Sequence, residues 1–154
     1  MFRFLARCFR SVLLGLFALT LPAWADASDT TLQKDPHMTK IQFTFGSEVL
    51  TATLDDTAAG RDFAAMLPLD LMLSDYHGIE KVSDLPRKLD TSGAPDAYKP
   101  ETGDITLYAP WGNLAIFYKP FQKSRGLVRL GAFDGSLSAL VAAGDTSVRI
   151  ELAE

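Results

Sequence analysis

The chain is almost without cysteine. Cys8 is the only one in 154 residues, and it falls in an N-terminal stretch that reads as a cleavable leader. A mature protein without thiols has no disulfide, no thiolate zinc site, no iron–sulfur cluster and no cysteine nucleophile. A lipid anchor is excluded as well, because the lipidated cysteine would have to stand at the cleavage point. Histidine is nearly missing too, with only His37 and His77. No Gly-x-Ser-x-Gly elbow occurs for serine hydrolysis, and no glycine-rich phosphate loop. Positive charge is the minority sign, 15 Lys+Arg against 19 Asp+Glu, with no basic stripe, so nucleic acid is excluded as a partner.

What is present begins with an export pattern. Arg3, Arg7 and Arg10 form a positive region, Ser11 to Leu21 is an apolar run, and Ala23-Trp24-Ala25 fits the small-x-small cleavage rule. The apolar run is shorter than the roughly 20 residues a membrane span needs. Residues 1–25 are therefore expected to be a signal peptide, with no membrane association after cleavage and a periplasmic destination. Taking 25 residues from 154 leaves 129, enough for one domain with one core. Three arginines and no acid leave with the leader, so the formal charge moves from −4 to −7. Residues 26–39 are polar and aperiodic and are expected to be a flexible tail holding His37, followed by a single domain over 40–154.

Within that domain the period is mostly two. Ile41, Phe43 and Phe45 alternate with polar residues, as do Leu50, Ala52 and Leu54, and Gly46-Ser47 between them predicts a two-residue hairpin of type II′. Asp55-Asp56-Thr57 predicts a helix N-cap, with Ala59, Phe63, Met66 and Leu67 forming the apolar stripe of about three turns that end at Pro68. Leu69, Leu71 and Leu73 predict a third strand, followed by a turn around Gly78 and a long connection through Leu85, Pro86 and Asp90 to Pro100.

The stretch from Gly103 to Phe121 reads as a central hairpin across Pro110-Trp111-Gly112-Asn113. One face carries Ile105, Leu107, Leu114 and Ile116, and the other Tyr108, Ala115 and Phe117. Such a pair is expected to be covered on both sides. A polar turn follows to Gly126, then a strand over Leu127 to Phe133. Ser136 is placed as the cap of a short helix burying Leu137, Leu140 and Val141 and ended by Gly144, and Val148, Ile150 and Leu152 mark the closing strand. The fold class expected is mainly β: a closed barrel of about eight strands capped by two short α-helices.

Thr51 to Asp56, the segment from Leu67 to Lys81, Leu85-Pro86, Gly103-Asp104-Ile105, Leu114 to Phe121 and Gly126 to Asp134 together resemble the bacterial cyclophilin-like fold proteins. The resemblance covers Ile41 to Leu152 and implies an eight-stranded barrel closed by two helices. Catalytic cyclophilins carry a Phe-His-Arg strand followed by a Gln-Gly-Gly segment, and neither string occurs here. The chemistry of that family is a twist about the X–Pro bond, against a barrier of about 18–20 kcal/mol. It uses an apolar pocket for the proline ring and a guanidinium placed at its nitrogen.

The site expected from the residues is a ligand-binding groove formed by His77, Trp111, Tyr118, Phe121, Arg125 and Arg129, since arginine with aromatics is the composition of binding patches. Against it stands the plainer reading of core aromatics and surface ion pairs. Asp75, His77 and Glu80 share one turn and offer metal-ligand atoms, but turn chemistry explains them, and no metal or other cofactor is expected. The leading function is a monomeric, non-catalytic exported domain that binds a small molecule or an extended peptide. The alternatives are a divergent prolyl isomerase acting on exported proteins, with Arg125 or Arg129 as the guanidinium, and an accessory domain of a flavodoxin-type redox system.

Overall fold

A computed structural model describes residues 38–153. The expected leader, and the tail as far as residue 37, lie outside the described residues. The elements run β1 (Thr39–Phe45), β2 (Glu48–Leu54), α1 (Ala58–Ala64), β3 (Leu69–Tyr76), β4 (Glu80–Asp84), β5 (Ala97–Tyr98), β6 (Asp104–Tyr108), β7 (Asn113–Phe117), β8 (Ser124–Arg125), β9 (Leu127–Phe133), α2 (Ser138–Ala142) and β10 (Thr146–Leu152). Eight strands close an antiparallel barrel in the order β1-β10-β3-β4-β7-β6-β9-β2, and β5 and β8 form a separate two-stranded ribbon. This is the closed barrel with two short helices that the alternation predicted. No helix among the described residues is long and apolar enough to cross a membrane.

Seven of the eight barrel strands fill the interior with apolar side chains, and the eighth, β4, turns Lys81 inward. Phe43, Leu54, Leu73, Ile105, Leu107, Leu114, Ile116, Leu130 and Ile150 are buried in one cluster with Phe63 of α1 and Leu140 of α2. Each such side chain contributes about 1.5–3 kcal/mol by leaving water. The central hairpin has the predicted two-sided burial: all five residues of β7 are buried, as are four of the five in β6. Its outward residues Ala115 and Phe117 form a second cluster with Leu127, on which Tyr98 and Tyr108 pack.

Several local expectations shift. Gly46 alone of its loop has positive φ, as the type II′ prediction requires. The helix cap is Thr57, whose side chain accepts from Gly60 N–H at 3.0 Å, rather than the aspartates before it. Helix α1 spans seven residues and then tightens, with Met66 N–H bonding Phe63 O at 3.0 Å. Helix α2 is a single turn. Leu137 occupies the cap position without a side-chain bond, Ser136 Oγ accepts from Ser138 N–H at 3.2 Å, and Val141 is exposed because so short a helix turns only Leu137 and Leu140 inward.

Two segments read as connections hold strands. Glu80–Asp84 is β4, a barrel wall, and the pair Ala97–Tyr98 binds Ser124–Arg125. The long segment between β4 and β6 is pinned at successive points. Arg87 holds Asp62 through bonds of 2.6 and 2.8 Å, and Asp62 also accepts from Asp90 N–H at 2.8 Å. The Arg87 bond, then that backbone bond, draws the Asp62 carboxyl down to about 2. Further on, Gly126 N–H bonds Asp96 O at 3.0 Å.

Candidate ligand-binding cleft

The register of β4 against β7 sets the floor of a cleft on the outside of the barrel. Glu80 lies opposite Phe117, Val82 opposite Ala115 and Asp84 opposite Asn113, and side chains alternate along a strand, so all six share the outward face. Leu127 extends the floor, and Tyr76, Tyr108, Trp111, Phe121 and the β8 residues Ser124 and Arg125 form its walls. The cavity is about 440 Å³.

The walls are positioned by specific contacts. Ala109 N–H bonds Gly126 O at 2.8 Å, anchoring the turn that carries Trp111. Gly126 sits at φ +81 against Pro110, where a Cβ would come within 2.7 Å of the proline ring, so this approach requires glycine. Trp111 meets Tyr108 edge-on at 5.3 Å and remains 67% exposed. Phe121 stacks on Phe117 at 6.1 Å. Such a wall of exposed aromatic area over an apolar floor is the composition of ligand pockets.

Two polar groups in the cleft are out of the ordinary. Burial pushes the Glu80 carboxyl up to about 7, so near neutral pH it exchanges between an acid that donates and a carboxylate that accepts. Asn113 is 7% exposed, and its Oδ1 has no hydrogen-bond partner. A buried amide oxygen without a donor costs about 1–3 kcal/mol.

The structure gathers three of the six expected site residues. Trp111, Phe121 and Arg125 line the cleft. His77 stands in the exposed turn between β3 and β4 at φ +53, its ring 4.2 Å from that of Tyr76, which does line the cleft. Tyr118 lies elsewhere, donating its hydroxyl to Asp75, with Lys81 Nζ 5.9 Å from its ring centre. Arg129 also lies apart: it ion-pairs Asp55 and Asp104, so Asp55, read as a cap, is a charge partner. Asp104 is buried and takes further bonds from Tyr98 Oη at 2.7 Å and Glu101 N–H at 2.8 Å. Burial and that bond raise the Tyr98 phenol to about 12. Among the described residues no three His, Cys, Asp or Glu side chains converge as a metal site.

Glu80, Asn113, Tyr76 and Tyr108 are cleft residues that the expected groove did not include. Glu80 and Asn113 become visible only once β4 is recognised and set in register with β7.

A profile of the cyclophilin-like family matches residues 43–151. The chain belongs to the cyclophilin-like family. Among solved structures, this cyclophilin-like chain is similar to the hypothetical protein AF2241 from Archaeoglobus fulgidus, determined in solution. The TM-score is 0.60 and the identity 19%, over 75% of this chain and 95% of that one. At that identity the likeness is one of fold. No curated protein matches the chain. The cleft of this cyclophilin-like barrel therefore has to be read from its own residues.

Proposed function

We propose that this cyclophilin-like domain is a binding module, whose outer cleft receives an apolar or aromatic group of a small molecule or of an extended peptide and performs no reaction on it. The observation that carries the reading is an aromatic-walled cavity of about 440 Å³ over an apolar floor, with Trp111 67% exposed in its wall. Such a surface favours apolar and aromatic contact. Val82, Ala115, Phe117 and Leu127 supply the apolar floor, Trp111 and Phe121 the aromatic walls, and Arg125 a cation at the rim. No nucleophile is paired with a base among the cleft residues, which argues against hydrolysis rather than against rotation about an X–Pro bond. In this reading the protein acts in the periplasm after losing residues 1–25. The support for that is the sequence pattern alone: arginines, an apolar run and Ala-Trp-Ala.

The test uses an internal probe. Trp24 falls in the expected leader, which leaves Trp111 as the single tryptophan of the mature domain. Apolar peptides and aromatic small molecules titrated into that domain are expected to shift Trp111 emission saturably. Phe121→Ala is expected to weaken the binding by about tenfold, the equivalent of about 1.4 kcal/mol, by removing one aromatic wall. If no ligand in a chemically diverse panel moves the emission, the cleft is not a binding site.

A further inference from the structure

The cleft does not end at Asn113. Val82, Asp84 and Asn113 also line a second groove of about 520 Å³, whose far wall is β3 from Asp70 to Ser74. This groove exists because β3 and β4 separate. Their register runs Tyr76↔Glu80, Asp75↔Lys81, Ser74↔Val82 and stops, while β3 remains paired with β10 as far as Leu69↔Ile150. Leu69–Leu73 is therefore held by a strand on one side only.

Two hydrogen bonds show which backbone groups face the gap. Asp75 N–H points to the β10 side, where Asp145 Oδ1, just before that strand, accepts it at 2.9 Å. Backbone groups alternate in direction along a strand, so the N–H and C=O groups of Asp70 and Met72 point the other way, into the gap. Leu85 N–H, just past β4, bonds Gly112 O on the β7 side at 3.4 Å, which leaves the backbone of Asp84 facing the gap as well. No strand among the described residues takes up these groups. A barrel is otherwise a means of abolishing such edges.

We propose that this seam is a strand-addition slot, in which an extended polypeptide segment pairs with the free edge of β3 at Asp70 and Met72. One apolar side chain of the segment enters the aromatic cleft beside the seam. The proposal rests on the reading of the cleft as a binding site and names its occupant. A second backbone carries donors and acceptors at the spacing the edge presents, which a compact small molecule does not. Charge narrows the class of peptide further. Asp70 is already paired with Arg149, but Asp84 flanks the seam and makes no ion pair among the described residues, so the segment that fits is one bearing a lysine or arginine beside its apolar residue.

The experiment takes the mature domain and a blocked eight-residue peptide of alternating threonine and valine, with one central phenylalanine and one lysine. Amide hydrogen exchange followed by NMR is expected to show Asp70 and Met72 exchanging fast in the free protein and protected at least tenfold on binding. Methylating alternate backbone nitrogens of the peptide leaves its side chains intact and is expected to weaken binding by tenfold or more. Asp84→Asn is expected to lower affinity for the lysine peptide about threefold more than it lowers that for a lysine-free analogue. Protection of these amides already in the free protein overturns the slot, because the edge is then closed. Saturable Trp111 quenching with no change at Asp70 and Met72, or quenching by small aromatics alone, also overturns it while leaving the cleft a binding site. Absence of any Trp111 response removes the cleft reading itself.

Discussion

Arg129 Nε donates to the buried Asp104 Oδ1 at 3.1 Å while the other end of the same guanidinium ion-pairs Asp55. One side chain of β9 thus neutralises the start of β6 and the segment that leads into α1. Arg129→Ala leaves Asp104 buried and without its charge partner, so a loss of about 2–4 kcal/mol is expected. Urea denaturation measures it. The folded fraction is expected to bind cleft ligands with wild-type affinity, because Arg129 does not line the cleft. A selective loss of binding at unchanged stability would return Arg129 to the site.

Glu80 makes stability depend on pH in an unusual direction. Its folded value of about 7 lies above the ordinary 4.5, so the folded state holds the proton more tightly than the unfolded chain does. The stabilisation is complete below about 4.5, falls as pH rises to about 7, and is gone above that. Glu80→Gln is expected to remove this decline and to be more stable than wild type at pH 8 by the order of 1 kcal/mol, solvent screening at a half-buried site having cut the nominal figure. Thermal melts of both proteins at pH 4, 6 and 8 give the comparison. Parallel curves for the two would show that Glu80 titrates normally.

Lys81 is 1% exposed and turns toward the barrel interior, where its Nζ donates to Gly144 O at 3.0 Å and lies 3.5 Å from Asp75 Oδ1. Lys81→Met keeps the volume and removes a buried charge, and its stability is expected to stay within about 1 kcal/mol of wild type. Both variants leave the Gly144 carbonyl without this donor, and Lys81→Ala opens a cavity as well, with an expected loss of about 2–4 kcal/mol. Equal losses in the two variants, read from chemical denaturation, would mean that the ammonium itself carries the stabilisation.

At Gly131 the barrel wall is closest. A Cβ there would lie 2.2 Å from Thr53 O and 2.8 Å from Leu54 Cα, both backbone atoms of the neighbouring strand. Gly131→Ala is expected to cost about 2–3 kcal/mol, against the small gain such a change gives at an open site. Gly60 has the same character, with Asp55 O at 2.2 Å, so the glycine that costs α1 helix propensity is what lets the helix sit against the chain before it. Equilibrium unfolding of Gly131→Ala checks the magnitude, and an unchanged midpoint would show that β2 and β9 can move apart freely.

These positions also show what the sequence makes legible. The central hairpin is readable because Ile105, Leu107, Leu114 and Ile116 face one core and Ala115 and Phe117 another, so nearly every residue reports burial. Strand β4 is not, because its inward Lys81 and its outward Glu80 and Asp84 are all charged, and only Val82 looks like a strand residue. Losing β4 hides the cleft, whose floor is the pairing of that strand with β7. Arg129 invites a binding role by its type, yet its partner Asp55 is 74 residues away, a separation at which spacing carries no signal. Trp111, Phe121 and Arg125 are legible as exposed-site residues because each lies in a turn or beside one.

The strap from Arg87 to Tyr98 is fastened to α1, through Asp96 to Gly126, and to Asp104 before any guest arrives. Its disorder is surrendered when the chain folds, not when the cavity fills. A preformed vessel of this kind leaves little rearrangement for arrival to wait upon, so visitors should differ chiefly in how long they remain.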